Sequence, residues 1–319
     1  MFLSIMNSAN LELLQRILLK QWEISSRRWE RKKQILLFDE MQELLCKAAC
    51  QWAGVPLKKC EIKLRADDLG KMVDGFGGIG PRYWEGKCAR KRTEAWIKDI
   101  IEQIRSHKLH PRIGSAAYII AWHYNLTGEL LSSQIAAVEL INIIRPITAI
   151  ATYVTFGAHA MYTHPVCRKK LQSMGERYVD MFVQEVRRYY PFTPFVGALV
   201  KKSFFWKNHL FKKGTLVLLD VYGIDHDPRI WDWPNEFRPE RFFDRAKEPY
   251  EFIPQGGGDA SKGHRCAGEI VTIAVMKESF LYLAGKIDYN VPSQNLKYSL
   301  RRIPTLPKSR FVISRVRRK

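Results

Sequence analysis

The chain has 319 residues, 46% hydrophobic and 26% charged, enough for one large domain or two small ones around a sizeable core. Its 52 Lys and Arg against 32 Asp and Glu leave a net charge of +20, but the basic residues are dispersed and no nucleic-acid module is visible, so a solvated basic surface is expected and no nucleic-acid partner. Six scattered cysteines argue against a disulfide framework, and the apolar start Met1–Met6 is too short for a signal or membrane span, so a cytoplasmic chain without a transmembrane segment is expected.

Apolar residues at helical spacing predict a helix over Leu11–Lys33 and another over Asp39–Trp52, with Asp39 as candidate N-cap. A shorter helix is predicted over Leu64–Phe76, closed by Gly77-Gly78, and an amphipathic one over Lys87–His107. The longest apolar run is Ser132–His164, opened by Ser132-Ser133. Arg145-Pro146 interrupts it. Pro146 has no backbone N–H and crowds the carbonyl of Asn142, so a kink or break is expected there. Arg145 then has two readings. It snorkels to solvent at a helix boundary, or it lines a pocket at the kink and takes an anion such as a carboxylate.

Glu176–Tyr190 is predicted as the last helix of this set, stopped by Pro191. Glu185 and Arg188 share a face of it, and Arg241 is a candidate partner from a later loop. Phe192 and Phe195 follow in a Pro-rich link, either as plain core or as walls of an apolar pocket. Phe211–Leu219 reads as a turn entering a buried strand, Asp225–Phe242 as an ordered loop, and Leu300–Arg315 as a terminal hairpin.

Between them lies Phe252-Ile-Pro-Gln-Gly-Gly-Gly258, then Asp259 to His264-Arg265-Cys266, followed at once by the helix-like run Ile270–Leu283. A lone cysteine is ordinarily a small buried hydrophobe. Here glycine density, basic neighbours and a helix N-terminus all favour the thiolate. A thiolate in a glycine loop is what a haem iron needs as proximal ligand.

Glu185-x-x-Arg188, Pro239-Glu-Arg241-Phe242 and the Cys266 loop together resemble the cytochrome P-450 superfamily. Arg145-Pro146 and the expanded loop from Pro254 to Cys266 resemble its bacterial fatty-acid peroxygenase family more closely. The resemblance implies a mainly α cytochrome P-450 fold with small β-sheets, in a single haem-thiolate domain over 1–319. Residues 1–190 would form its mostly helical part, with the long central helix at about 132–164. Residues 191–319 would hold the β-rich part, the meander loop, the Cys-ligand loop and the final helix. Relative to the family, the N-terminal quarter is expected to lie outside these residues.

The resemblance also implies haem b held by Cys266, with His264, Arg265, Gly257 and Gly258 in the cofactor loop, and Glu185, Arg188 and Arg241 as structural residues. Two departures from the wider superfamily matter. Asp259 and His264 stand where the loop usually has Phe and Arg, and Arg145-Pro146 stands where the central helix usually carries a proton-delivering acid-alcohol pair. Peroxide already holds reduced, protonated oxygen, so no redox partner is implied. The implied reaction is hydroxylation of a long-chain fatty acid at Cα or Cβ by hydrogen peroxide. Arg145 and Pro146 are the catalytic pair, Arg145 anchors the carboxylate, and Phe192 and Phe195 line the pocket. The alternatives are decarboxylation to a terminal alkene, or a truncated haem-binding relative without turnover.

Overall fold

A computed structural model describes residues 1–245 and 248–319. A short α1 (Phe2–Ile5) leads into α2 (Ser8–Trp29), whose N-cap Asn7 accepts from the Asn10 amide. Strand β1 (Gln34–Leu36) precedes α3 (Leu37–Ala53), which ends at Gly54 with φ +79°. Asp39 lies inside the first turn of α3 rather than at its cap. Next come α4 (Ile62–Asp74), α5 (Pro81–Arg105) and α6 (Ala116–Ala121). The sequence shows too few apolar repeats in α6 for it to stand out.

The long apolar run forms α7 (Ser133–Ala149) and α8 (Ala151–Thr163). Ser132 caps α7, its hydroxyl accepting from the Ile135 amide at 3.2 Å. The interruption falls at Ile150 and not at Pro146, which sits inside α7. The Ile150 amide turns back to the Ile147 carbonyl at 3.2 Å, three residues away, and α8 resumes from there. The proline is thus accommodated within α7, and the break between the two helices lies four residues beyond it. The Ser133–Thr163 stretch is long and apolar enough to cross a membrane, with a window of mean hydropathy 1.5, but 67% of that window is buried in the protein. It is a core helix pair.

Then follow α9 (Pro165–Met174) and α10 (Glu176–Tyr189). Strand β2 (Phe195–Leu199) pairs antiparallel with β5 (Leu216–Asp220), and the short hairpin β3 (Phe204–Trp206) and β4 (His209–Phe211) lies between them. The predicted strand after Gly214 is present as β5 but is not buried: Leu216, Leu218 and Leu219 are all exposed. A run of four apolar residues looks like a two-sided core strand, yet this ribbon has one neighbour only. One turn of helix, α11 (Val221–Asp225), follows, and after the long loop comes α12 (Glu269–Leu281). Finally β6 (Ile287–Asn290) and β7 (Val312–Arg318) complete a sheet in the order β1-β7-β6. The expected terminal hairpin is therefore a correction. Residues 300–311 are irregular, and β7 pairs with the preceding strand β6 across that long irregular segment and with the distant β1, rather than within 300–315.

The core runs through α2, α3, α7, α8, α10 and α12. Gly157 lets α8 approach α12. A Cβ there would collide with the ring of Phe280, which is fully buried and stands edge-on to Phe182 at 5.2 Å. Gly157→Ala is expected to destabilise the fold by about 1–3 kcal/mol through overpacking. A urea melt would show a lower midpoint with the slope kept, and an unchanged midpoint would contradict this contact.

Candidate functional site

Helix α10 buries Glu185 and Arg188 completely. Two charges without water require each other and further partners. Arg188 donates to both Glu185 carboxylate oxygens at 2.7 and 2.8 Å, and to the carbonyls of Asp225, Pro234 and Glu236. Glu185 also accepts from the Arg238 amide at 2.7 Å and from Arg241 Nε at 3.2 Å. Arg241 in turn donates to the carbonyls of Asp232, Trp233 and Glu236. The predicted trio Glu185, Arg188 and Arg241 is thus one cluster, and its spare donors hold the 225–242 loop in shape.

The Cys266 loop is tied to the same turn of this helix through Arg187. Its neck is closed by the Cys266 amide donating to the Gln255 carbonyl at 2.8 Å. Gly256 has φ +86°, and a Cβ there would collide with the His264 carbonyl, so only glycine lets the two limbs of the loop meet. Gly257 lies close to the Pro249 carbonyl, and Gly258 has φ +81°. At the tip, the Asp259 carboxylate accepts from the amides of Ser261 and Lys262 at 2.7 and 3.0 Å. An aspartate at this unusual position therefore organises the loop's far turn.

The helix itself starts later than the thiol: Gly268 is the N-cap and Glu269 opens α12. An added Cβ on Gly268 would lie 3.8 Å from Cys266 Sγ, so the sulfur stands beside the cap. The His264 side chain is exposed. Arg265 turns to Glu269, with one N–H···O contact of 3.1 Å, so its charge is paired and is not directed at the thiol. Burial would raise the Glu269 carboxyl, but hydrogen bonding from Arg265 and the charge of Arg187 outweigh it and hold it below the usual range.

Arg187 was not singled out by spacing, since it is adjacent to Arg188 and an i,i+3 pattern passes over it. It is 1% exposed and pairs with Glu269. A buried cation is visible in sequence only if its partner's position is known, and Glu269 is 82 residues away.

On α7, Arg145 is half-buried, with Asn142 Oδ1 at 3.5 Å and the Phe76 ring 5.1 Å below the guanidinium. No carboxylate pairs with it among the described residues. Burial lowers its pKa, and the like charge of Arg90 adds to that. Pro146 and Asn142 are exposed, on the same face of α7 as the exposed Ile135. Tyr153, about 12 Å further along the helical axis, is buried with its hydroxyl unpaired among the described residues. Its ring stacks on Phe192 at 5.5 Å. Phe192, Arg187, Asp225 and Pro254 share a small void with it. Phe195 is not part of that group; it opens the exposed ribbon opposite Asp220.

A mainly helical fold in which a buried Glu-Arg-Arg cluster backs a glycine-rich thiol loop is the architecture of a haem-thiolate protein. The cytochrome P450 family profile matches residues 156–284. Cytochrome P450SP alpha (CYP152B1), solved in complex with (R)-ibuprofen, is 43% identical, with a TM-score of 0.94 over 99% of this chain and 77% of that one. Ligand-free cytochrome P450 OleT is 39% identical, with a TM-score of 0.95 over 100% of this chain and 76% of that one. Cytochrome P450 3A14 of Cavia porcellus is 30% identical over 170 residues, which is 47% of this chain but only 33% of that protein's length. The chain belongs to the cytochrome P450 superfamily and, within it, to the fatty-acid peroxygenase family.

Membership implies haem b, and the residues fit it. Cys266 is exposed, unlike Cys46, Cys50 and Cys167. Among the described residues no three His, Cys, Asp or Glu side chains cluster as a metal site. A single thiolate would suit an iron whose remaining ligands come with the cofactor.

Asp225 is 2% exposed and accepts from the Ile253 amide at 3.2 Å. Burial raises its pKa from 3.8 to about 8 against the lowering effect of that bond and of Arg188 and Arg187. Its folded pKa lies above its unfolded one, so the native state holds the extra proton in between. The stabilisation is complete below about pH 4 and is lost as pH rises towards about 8. In urea melts of the haem-free chain, Asp225→Asn should flatten the fall in stability across that window. An unchanged slope in the variant would contradict a protonated Asp225.

Proposed function

We propose that this chain is a haem-thiolate peroxygenase that hydroxylates long-chain fatty acids at Cα or Cβ with hydrogen peroxide, Arg145 anchoring the substrate carboxylate. Arg145 carries this reading: a half-buried guanidinium on the central helix, with no carboxylate partner among the described residues. A buried cation without an anion is costly, and a bidentate carboxylate is its simplest complement. The neighbours support the substrate class, since a variant of cytochrome P450 OleT was solved in complex with arachidonic acid.

Haem b, bound through Cys266, would supply the redox chemistry: the peroxide O–O bond is broken, one oxygen enters a C–H bond and the other leaves as water. The chain's own residues do the rest. Arg145 holds the acid by its head, which restricts the carbons within reach to those beside the carboxylate. The bound carboxylate can receive and return a proton between the peroxide oxygens, a role that Pro146 cannot fill because it has no side-chain proton. This removes the need for a redox partner. Asn142, 3.5 Å from the guanidinium, orients it, and Phe76 shields one face. Phe192 walls the apolar side together with Tyr153, and Phe195 is the outer candidate for the same wall. His264, Gly257 and Gly258 belong to the loop that would contact the cofactor. A single haem domain and a cytoplasmic location complete the proposal.

Arg145→Ala should keep haem uptake and lose fatty-acid turnover by about 100-fold or more. Mass spectrometry after incubation with peroxide and a long-chain acid reads the product. Unchanged turnover in the variant would rule out the anchor, and an alkene from the native chain would replace hydroxylation by decarboxylation. Haem uptake without any product would mark an inactive relative.

A further inference from the structure

Arg188 is absorbed by the loop at 225–242, whereas Arg187 faces the other way. Its Nε donates to Gln255 Oε1 at 3.1 Å, a second nitrogen pairs with the Glu269 carboxylate, and its guanidinium lies 5.1 Å from the Phe252 ring centroid. Those three partners stand at the two ends of the Cys266 loop. Gln255 is also the residue whose carbonyl takes the Cys266 amide, and its side-chain amide donates to Thr272 on α12 at 3.1 Å. Glu269 begins that helix and holds Arg265 as well. One buried cation therefore connects α10 to the residue before the glycines and to the first residue of α12, three beyond the thiol.

We propose that Arg187 is a positioning residue for Cys266: it fastens both limbs of the thiol loop to α10 and so sets where the sulfur stands. The inference rests on Cys266 being the functional thiol. A planar guanidinium is suited to this, because its separate N–H groups reach two acceptors in a fixed geometry; a lysine keeps the charge but not the fork. Glu269 alone does not substitute, since its link to Arg265 stays within the loop and does not reach α10. Glu269 keeps Arg265 as a partner when Arg187 is replaced, so the substitution does not strand a buried carboxylate.

The test is hydrogen exchange read by mass spectrometry on the haem-free full chain, native against Arg187→Lys and Arg187→Gln. Amides of residues 252–268 should exchange about tenfold faster in both variants, the size expected for losing hydrogen bonds to a charged group. Amides of α10 and α7 should keep their native rates. Unchanged exchange in 252–268, or the same acceleration throughout the chain, would overturn the proposal, the second because it marks a general loss of stability. Should Arg187→Gln fail to fold, Arg187→Lys retains the buried charge and decides alone. Exchange is read without cofactor, so a failure of haem uptake would count against the proposed function and leave this comparison intact.

Discussion

Two arginines buried side by side on α10 set the constraint from which the catalytic half of the molecule follows. A guanidinium out of water must fill its donors. Arg188 does so with Glu185 and three carbonyls of the loop at 225–242, and Arg187 with Gln255 and Glu269. Segments without regular secondary structure thereby gain defined shapes. One helix turn thus fixes both the meandering loop and the loop that carries the thiol. Losing one partner of such a pair costs about 3–5 kcal/mol, far more than a surface ion pair contributes.

Helix α7 contributes a second constraint. Its less buried face carries Ile135, Glu139, Asn142, Arg145 and Pro146 at helical spacing, while its other face lies in the core. Arg145 is half-buried on that face, so this wall of the helix presents a cation. Tyr153 and Phe192 then join this wall to the neighbourhood of Arg187 and Asp225.

Much of this was legible in the sequence, for identifiable reasons. Glu185, Arg188 and Arg241 were readable because an i,i+3 pair amid apolar residues demands a third partner. The shape of the loop at Cys266 was readable because glycines and a following helix flank an isolated thiol. Ser132 was a visible cap. Less legible features depended on distant neighbours. Arg187 is meaningful only once Gln255 and Glu269 are beside it. Among the described residues β5 is flanked by β2 alone, and Leu216, Leu218 and Leu219 are exposed, a count of neighbours that a local apolar run does not encode. The terminal hairpin was misread because prolines near a turn look local, whereas β7 pairs with β1, nearly three hundred residues earlier. Phe195 opens β2 opposite Asp220, whereas Phe192 stacks on Tyr153, a difference set by strand pairing that closeness in sequence does not encode.

The proposed function turns on iron being held by the Cys266 thiolate. The most direct measurement is the carbon monoxide difference spectrum of the reduced, haem-loaded chain, native against Cys266→Ala. A thiolate-type band in the native chain that is absent in the variant is the predicted result. A native chain without that band, or a variant that retains it, would contradict the assignment.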